Sequence, residues 1–223
     1  MMEKLPHSLN SIVKKTNNIK LDLETWRRIA LTNKEYFFNP FKDHSSYLYM
    51  YKDEPSCVEF YPLQRLNYNG DVSKESELHF RYLCKTNPNK KEFLEKRKKT
   101  YTIELNVSNW NQMEHPFLSV LPGEIRRARL LKLPAHSIMP FHRDETRPSD
   151  IRVICPIITN SKVKNLFKVE GETIDVHLPS DGSFYSFDER LEHSVVNDGD
   201  KDRYVMVFTV LNTTIEEWDA STR

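Results

Sequence analysis

The spacing of apolar and polar positions changes character about halfway along the chain. In the first hundred residues, crowded with Asn and Lys, Leu21, Leu23, Trp26, Ile29 and Ala30 approximate one face of a helix. Asn87-Pro88 suits the cap and first position of another helix, which runs through Lys91 to Lys96 and ends in the basic turn Lys96-Arg97-Lys98-Lys99. From Tyr101 the period shortens to two, with Ile103, Leu105 and Val107 on one side of a predicted strand. Short β-type runs follow at Ile125 to Leu133, Ile138 to Phe141, Ile151 to Ile158, Val163 to Val169, Thr173 to Leu178, Ser183 to Phe187 and Tyr204 to Leu211. Turn-forming clusters separate them, among them Pro148-Ser149-Asp150, Glu170-Gly171-Glu172 and Pro179-Ser180-Asp181-Gly182. Strands this closely spaced, with no helices between them, predict antiparallel pairing rather than βαβ units. The expected fold is mainly β: a double-stranded β-helix, or jelly roll of cupin-like shape, with a helical N-terminal elaboration. Residues 1–100 are expected to form a helical or irregular region packed on a core of residues 101–223, the two making one integrated domain.

Composition narrows the function classes. Among 223 residues, 33 Lys and Arg nearly balance 32 Asp and Glu, so electrostatic recognition has to be local and a nucleic-acid partner is disfavoured despite the basic stretch at 90–99. Cys57, Cys84 and Cys155 are odd in number and far apart, which suits a reduced, cytoplasmic setting. The first twenty residues lack the continuous apolar stretch of a secretory signal. Nowhere do about 18 apolar residues run together, so no membrane span is expected. The aromatic groups at 36–41 and 47–51 are expected to pack against the barrel.

Candidate chemistry enters with His142-Arg143-Asp144. In a strand, residues two apart project from the same face, so His142 and Asp144 can offer a nitrogen and an oxygen to one ion. His193 lies 49 residues beyond Asp144, in a β context, and can complete a set of two imidazoles and one carboxylate. Such a set suits ferrous iron with open coordination positions, and it also suits zinc. Ten residues further on, Arg203 opens the apolar run Tyr204-Val205-Met206-Val207-Phe208, where a buried guanidinium requires an anion. That anion is either a structural Asp or Glu or the carboxylate of a bound organic acid.

From about Leu121 to Leu211 the chain resembles the aspartyl/asparaginyl β-hydroxylase family of iron(II) and 2-oxoglutarate-dependent oxygenases, in particular its bacterial, proline-hydroxylase-like branch. The resemblance is carried by Leu121-Pro122-Gly123, Arg129 to Pro134, Pro140-Phe141-His142-Arg143-Asp144, Arg152 to Asn160, Phe187-Asp188, His193 to Asn197 and Asp202-Arg203, in that order. It implies a catalytic centre in which His142, Asp144 and His193 hold Fe(II), while Arg203 binds the far carboxylate of 2-oxoglutarate and O2 is the second co-substrate. Arg152 falls where the family places an arginine near the co-substrate or the substrate carboxylate. Ile154 stands where many members have a histidine, so the near carboxylate of 2-oxoglutarate has no assigned partner. The implied reaction is hydroxylation of an amino-acid side chain, free or in a peptide or protein, with Asp, Asn or Pro as natural candidates. Arg147 and Arg190, near the ligand segments, are candidate substrate-binding residues, with solvated loop charge as the alternative. Asp188 is a candidate partner for a ligand imidazole, or a turn residue. Ile138, Phe141, Phe184 and Phe187 are candidates for an apolar lining of the site, and Tyr185 for a ring beside the cofactor or packed in the core. A non-catalytic cupin-like module that binds a metal and an organic acid is the competing reading.

Overall fold

The computed structural model describes residues 12–34, 58–62, 64–66, 110–112, 121–144 and 149–221. The expected helix at 87–99, the strand at 101–107, the aromatic groups at 36–41 and 47–51, and Arg147 lie outside the described residues.

Twelve strands and two helices are described: β1 (Val13–Lys20), α1 (Leu23–Thr32), β2 (Glu59–Pro62), β3 (Gln64–Leu66), β4 (Trp110–Gln112), β5 (Ile125–Leu133), β6 (Ser137–His142), β7 (Ile151–Ile158), β8 (Val163–Val169), β9 (Glu172–Val176), β10 (Ser183–Phe187), β11 (His193–Asn197), β12 (Arg203–Val210) and α2 (Ile215–Ala220). A six-stranded sheet has the order β1-β10-β7-β12-β5-β2, and a four-stranded sheet has the order β6-β11-β8-β9. From β5 to β12 the chain passes back and forth between these two sheets, and each strand in them pairs antiparallel with its neighbours. This is the double-stranded β-helix that the turn spacing predicts. β3 and β4 form a separate two-stranded ladder.

Strand alternation gives the larger sheet two unlike faces. Leu130, Val153, Cys155, Phe184, Met206 and Phe208 point outward into one apolar cluster with Trp26 and Ala30 of α1 and Ile215 and Trp218 of α2. The opposite positions, including Arg152, Arg203 and Thr209, point between the sheets, and all three are buried. Stability is therefore concentrated on the outer face, where a fully buried aromatic side chain contributes about 2–3 kcal/mol. The inner face carries these polar groups beside smaller apolar side chains such as Leu133, Val205 and Val207.

The helices are fixed to that outer face by local chemistry. Asp22 caps α1 by accepting from the backbone N–H groups of Glu24 and Thr25. Thr214 and Glu217 form a reciprocal capping box on α2, and Trp218 donates its indole N–H to Pro122 O at 2.8 Å. Asp219 accepts from the successive backbone N–H groups of Asn17, Asn18 and Ile19, clasping β1 to the C-terminal helix. At the β9–β10 turn, Gly182 accepts from Leu21 N–H at 2.8 Å, and a Cβ there would lie 2.9 Å from Leu21 O. Only glycine fits that approach.

The sequence reading contained no strand at 13–20 or at 59–62. β1 adds to β10 and β2 adds to β5, so N-terminal strands form both edges of the larger sheet. β1 buries every third residue, and its register shifts between Lys15 and Lys20, so it lacks the alternation by which strands are recognised. Within the described residues no helix is long and apolar enough to cross a membrane.

Candidate metal centre

The ends of β6 and β11 build the site. These strands run antiparallel in adjacent positions, with His193 directly opposite His142. Cross-strand pairing brings the rings to a centroid separation of 4.3 Å. Asp144 lies two residues past the end of β6, so strand pleat does not place it; its backbone N–H donates to Glu189 O at 3.1 Å. Between the two ligand candidates, Arg143 turns outward and its guanidinium lies 3.9 Å from Glu192. One nitrogen or oxygen atom from each of His142, Asp144 and His193 lies within 4.8 Å of the others, close enough to share one ion.

The imidazoles are oriented alike. His142 Nδ1 lies 2.8 Å from Pro140 O, and His193 Nδ1 lies 2.8 Å from Leu191 O. A carbonyl can only accept, so each Nδ1 carries the hydrogen and a neutral ring keeps a lone pair on Nε2 for a metal. Burial, reinforced by the nearby His142, pushes His193 down to about 4, so this ring is neutral at pH 7. Burial alone would push the Asp144 carboxyl up, but Arg152, His142, His193 and Arg129 together outweigh it and hold it well below the usual carboxylate range. A set of two imidazoles and one carboxylate fits a divalent transition metal.

Arg203 begins β12 and faces the inter-sheet space. Its Nη2 donates to Asn165 Oδ1 at 3.1 Å, while Asn165 is held in turn by donating from Nδ2 to Val176 O. Among the described residues no carboxylate lies within ion-pair distance of Arg203, and its buried Nε has no hydrogen-bond partner. Burial pushes the guanidinium down to about 10, which leaves it cationic at neutral pH. A carboxylate-bearing ligand fits this cation.

The other sequence candidates fall in different places. Arg152 is buried, with Nε 2.6 Å from Glu189 Oε1 and Nη2 3.5 Å from Asp144 Oδ2. Arg190 is exposed and forked onto Asp188, both nitrogen–oxygen distances being 2.7 Å, so Asp188 holds an arginine rather than a ligand imidazole. Both residues line a cleft of about 280 Å³, together with Arg152, Phe187, Glu189 and Leu191. Phe187 does border the centre, with its ring 5.0 Å from that of His193. Phe184 instead packs on the outer face against Phe208 and Trp218. Ile138 is largely exposed, Phe141 lies under the Lys168 ammonium, and Tyr185 is packed in the core with its hydroxyl on Asp181.

Asn165, Phe167 and Glu189 belong to the neighbourhood although the sequence reading passed over them. Asn165 did carry a signal, a polar residue at an inward position between Val163 and Phe167 of one strand. Phe167, whose ring lies 4.9 Å from that of Phe187, reads as ordinary core. Glu189 carried no signal, since only the fold places it against Arg152.

Residues 109–213 match the family model described as aspartyl/asparaginyl beta-hydroxylase. No curated protein matches the chain in sequence. Among solved structures, the chain is similar to a Pseudomonas putida prolyl-4-hydroxylase at 12% identity and a TM-score of 0.44, covering 91% of this chain and 93% of the other. It is similar to a Trichoplax adhaerens prolyl hydroxylase, solved with a hypoxia-inducible-factor peptide fragment, at 12% identity and a TM-score of 0.46, covering 96% and 88%. A cupin domain from Bordetella pertussis aligns at 20% identity and a TM-score of 0.31 over 41% of this chain and 86% of the other. The matched segment includes His142, Asp144, His193 and Arg203, and over it the chain is similar to the aspartyl/asparaginyl β-hydroxylase family.

Proposed function

We propose that this protein is an Fe(II)/2-oxoglutarate-dependent dioxygenase that hydroxylates an amino-acid side chain, free or within a peptide. The observation that carries the reading is the joint presence of the His142, Asp144 and His193 donor cluster and the Arg203 cation without a described carboxylate partner, within a segment that matches a hydroxylase family. Bound ferrous iron with 2-oxoglutarate and O2 would supply the oxidising chemistry, coupling decarboxylation of the co-substrate to succinate and CO2 with hydroxylation of a carbon.

The chain's own part is placement. His142 and His193 present bare Nε2 atoms because their Nδ1 hydrogens are tied to backbone carbonyls. Asp144 stays ionised, which supplies the third donor without competition from a proton. Arg203 fixes the far carboxylate of the co-substrate, and Asn165 holds the guanidinium still while it does so. Phe187 and Phe167 keep water from one side of the His193 ring. The cleft that Arg190 lines with Phe187, whose ring meets that of His193, is the candidate place for the substrate. Retention of Asp144 favours hydroxylation over halogenation, which needs that coordination position for a halide.

The test begins with anaerobic addition of Fe(II) and 2-oxoglutarate, which is expected to give a weak visible absorption band. Admission of air with a panel of free amino acids and peptides then gives succinate in step with a 16 Da gain in one of them. Asp144→Ala and His193→Ala are expected to reduce both to background. A band without succinate across the panel would favour the binding module, and turnover retained by either variant would sink the reading.

A further inference from the structure

We infer that Arg152 is a positioning residue for Asp144, and that the buried carboxylate of Glu189 holds it in that role. The inference rests on the metal-centre reading above and extends it to two residues outside the donor set. Arg152 and Glu189 are 4% and 3% exposed, so water screens their ion pair little. One guanidinium is ion-paired with both carboxylates: Nε lies 2.6 Å from Glu189 Oε1 and Nη2 lies 3.5 Å from Asp144 Oδ2. Glu189 thus acts on Asp144 along two routes. Its backbone carbonyl accepts the Asp144 N–H at 3.1 Å, and its side chain fixes the arginine that faces the Asp144 carboxylate.

This double hold replaces what strand geometry does for the histidines. His142 and His193 are set by pairing between β6 and β11, whereas Asp144 lies beyond the last residue of β6. A carboxylate on a loop samples several rotamers unless something outside the metal selects one. The same arrangement changes the role expected from family resemblance. Ion-paired with Glu189 and Asp144, Arg152 serves the protein's own carboxylates before any co-substrate or substrate carboxylate.

Positioning and simple charge predict opposite effects. A cation beside a site for a dication repels it, so removal of Arg152 on electrostatic grounds alone would strengthen metal binding. Loss of orientation would weaken it. The substitution pair Arg152→Met with Glu189→Met leaves net charge unchanged and removes both buried ions of that pair together, so an effect of position is not masked by a lone Glu189 carboxylate.

The experiment is titration of the metal-free full-length protein with Co(II), followed by its visible absorption and by competition with a chelator, alongside far-UV circular dichroism and Tm. The double variant is expected to fold and to bind Co(II) about tenfold or more weakly, with an altered visible band. Arg152→Lys, which keeps the charge but not the fork, is expected to weaken Co(II) binding in the same way and serves if the double variant does not fold. Wild-type affinity and an unchanged band in a folded variant would overturn this inference and leave the metal-centre reading standing. Failure of the unsubstituted protein to take up Co(II) would overturn both.

Discussion

The guanidinium of Arg203 is 5% exposed and, among the described residues, makes one hydrogen bond, to the neutral side chain of Asn165. Desolvating a cation without a counter-charge costs several kcal/mol, while a single hydrogen bond from that cation to a neutral amide returns only about 1.5–3 kcal/mol. The imbalance predicts that Arg203→Met stabilises the ligand-free protein, even though Asn165 Oδ1 loses a donor. The expected result is a Tm several degrees higher without ligand, with 2-oxoglutarate affinity weakened about 30-fold or more by loss of its charged contacts. Thermal unfolding and co-substrate titration of the same two proteins check both halves, and a lower Tm would mean that the cation is already neutralised. His193 shows a related tuning through a different cause, since burial keeps its ring neutral and its Nε2 free of a proton at pH 7.

At the scale of elements, β1 is joined to the core by carboxylates at both ends of its outer neighbours. Asp181 in the β9–β10 turn takes the Lys15 ammonium at 2.6 Å and the Ser183 backbone N–H at 2.9 Å. Burial would push the Asp181 carboxyl up, but the hydrogen bonds from Lys15 and Ser183 outweigh it and hold it well below the usual carboxylate range. A folded-state pKa below the unfolded value means stability that is present above about pH 4 and lost as pH falls further. Asp181→Asn is therefore expected to lower Tm at pH 7 and to flatten its decline in acid, as a Tm-against-pH series would record. An unaltered acid limb would show that this attachment does not matter to folding. β1 was also the element that the sequence hid. β5, β7, β8 and β10 could be bounded from their apolar runs because each end is marked by turn residues, whereas β1 buries every third residue around a register shift. The meeting of His142 with His193 follows from the pairing of β6 with β11, whereas Asp144, beyond the strand, was marked in the sequence only by its HxD spacing and by the family resemblance. Arg152 with Glu189 was not legible there, because they are 37 positions apart and nothing local marks the turn residue as buried.

For the whole molecule, the larger sheet works as a partition. Its outer face, closed by α1 and α2, holds Trp26, Phe184, Phe208 and Trp218, while its inner face carries Arg152, Arg203 and Thr209 towards the smaller sheet that supplies both histidines. The two faces belong to the same strands, yet side chains on one do not touch ligands on the other. Damage to the outer face should then cost stability without changing the geometry of the centre, so long as the sheet stays folded. Trp218 is the sharpest probe, being 2% exposed, edge-on to Phe184 at 5.5 Å and to Phe208 at 5.8 Å, and tied to Pro122 O through its indole N–H. Truncating it removes the ring's transfer free energy, leaves a cavity and strands a carbonyl. Trp218→Ala is expected to lower the urea unfolding free energy by about 3–5 kcal/mol. Co(II) affinity, measured well below the lowered Tm, is expected to stay within about twofold of the starting protein, since additivity holds for sites without shared partners. A large loss of metal affinity in a variant that is still folded would mean that packing on the dry face sets the position of the donors, and the division of labour between the two faces would have to be given up.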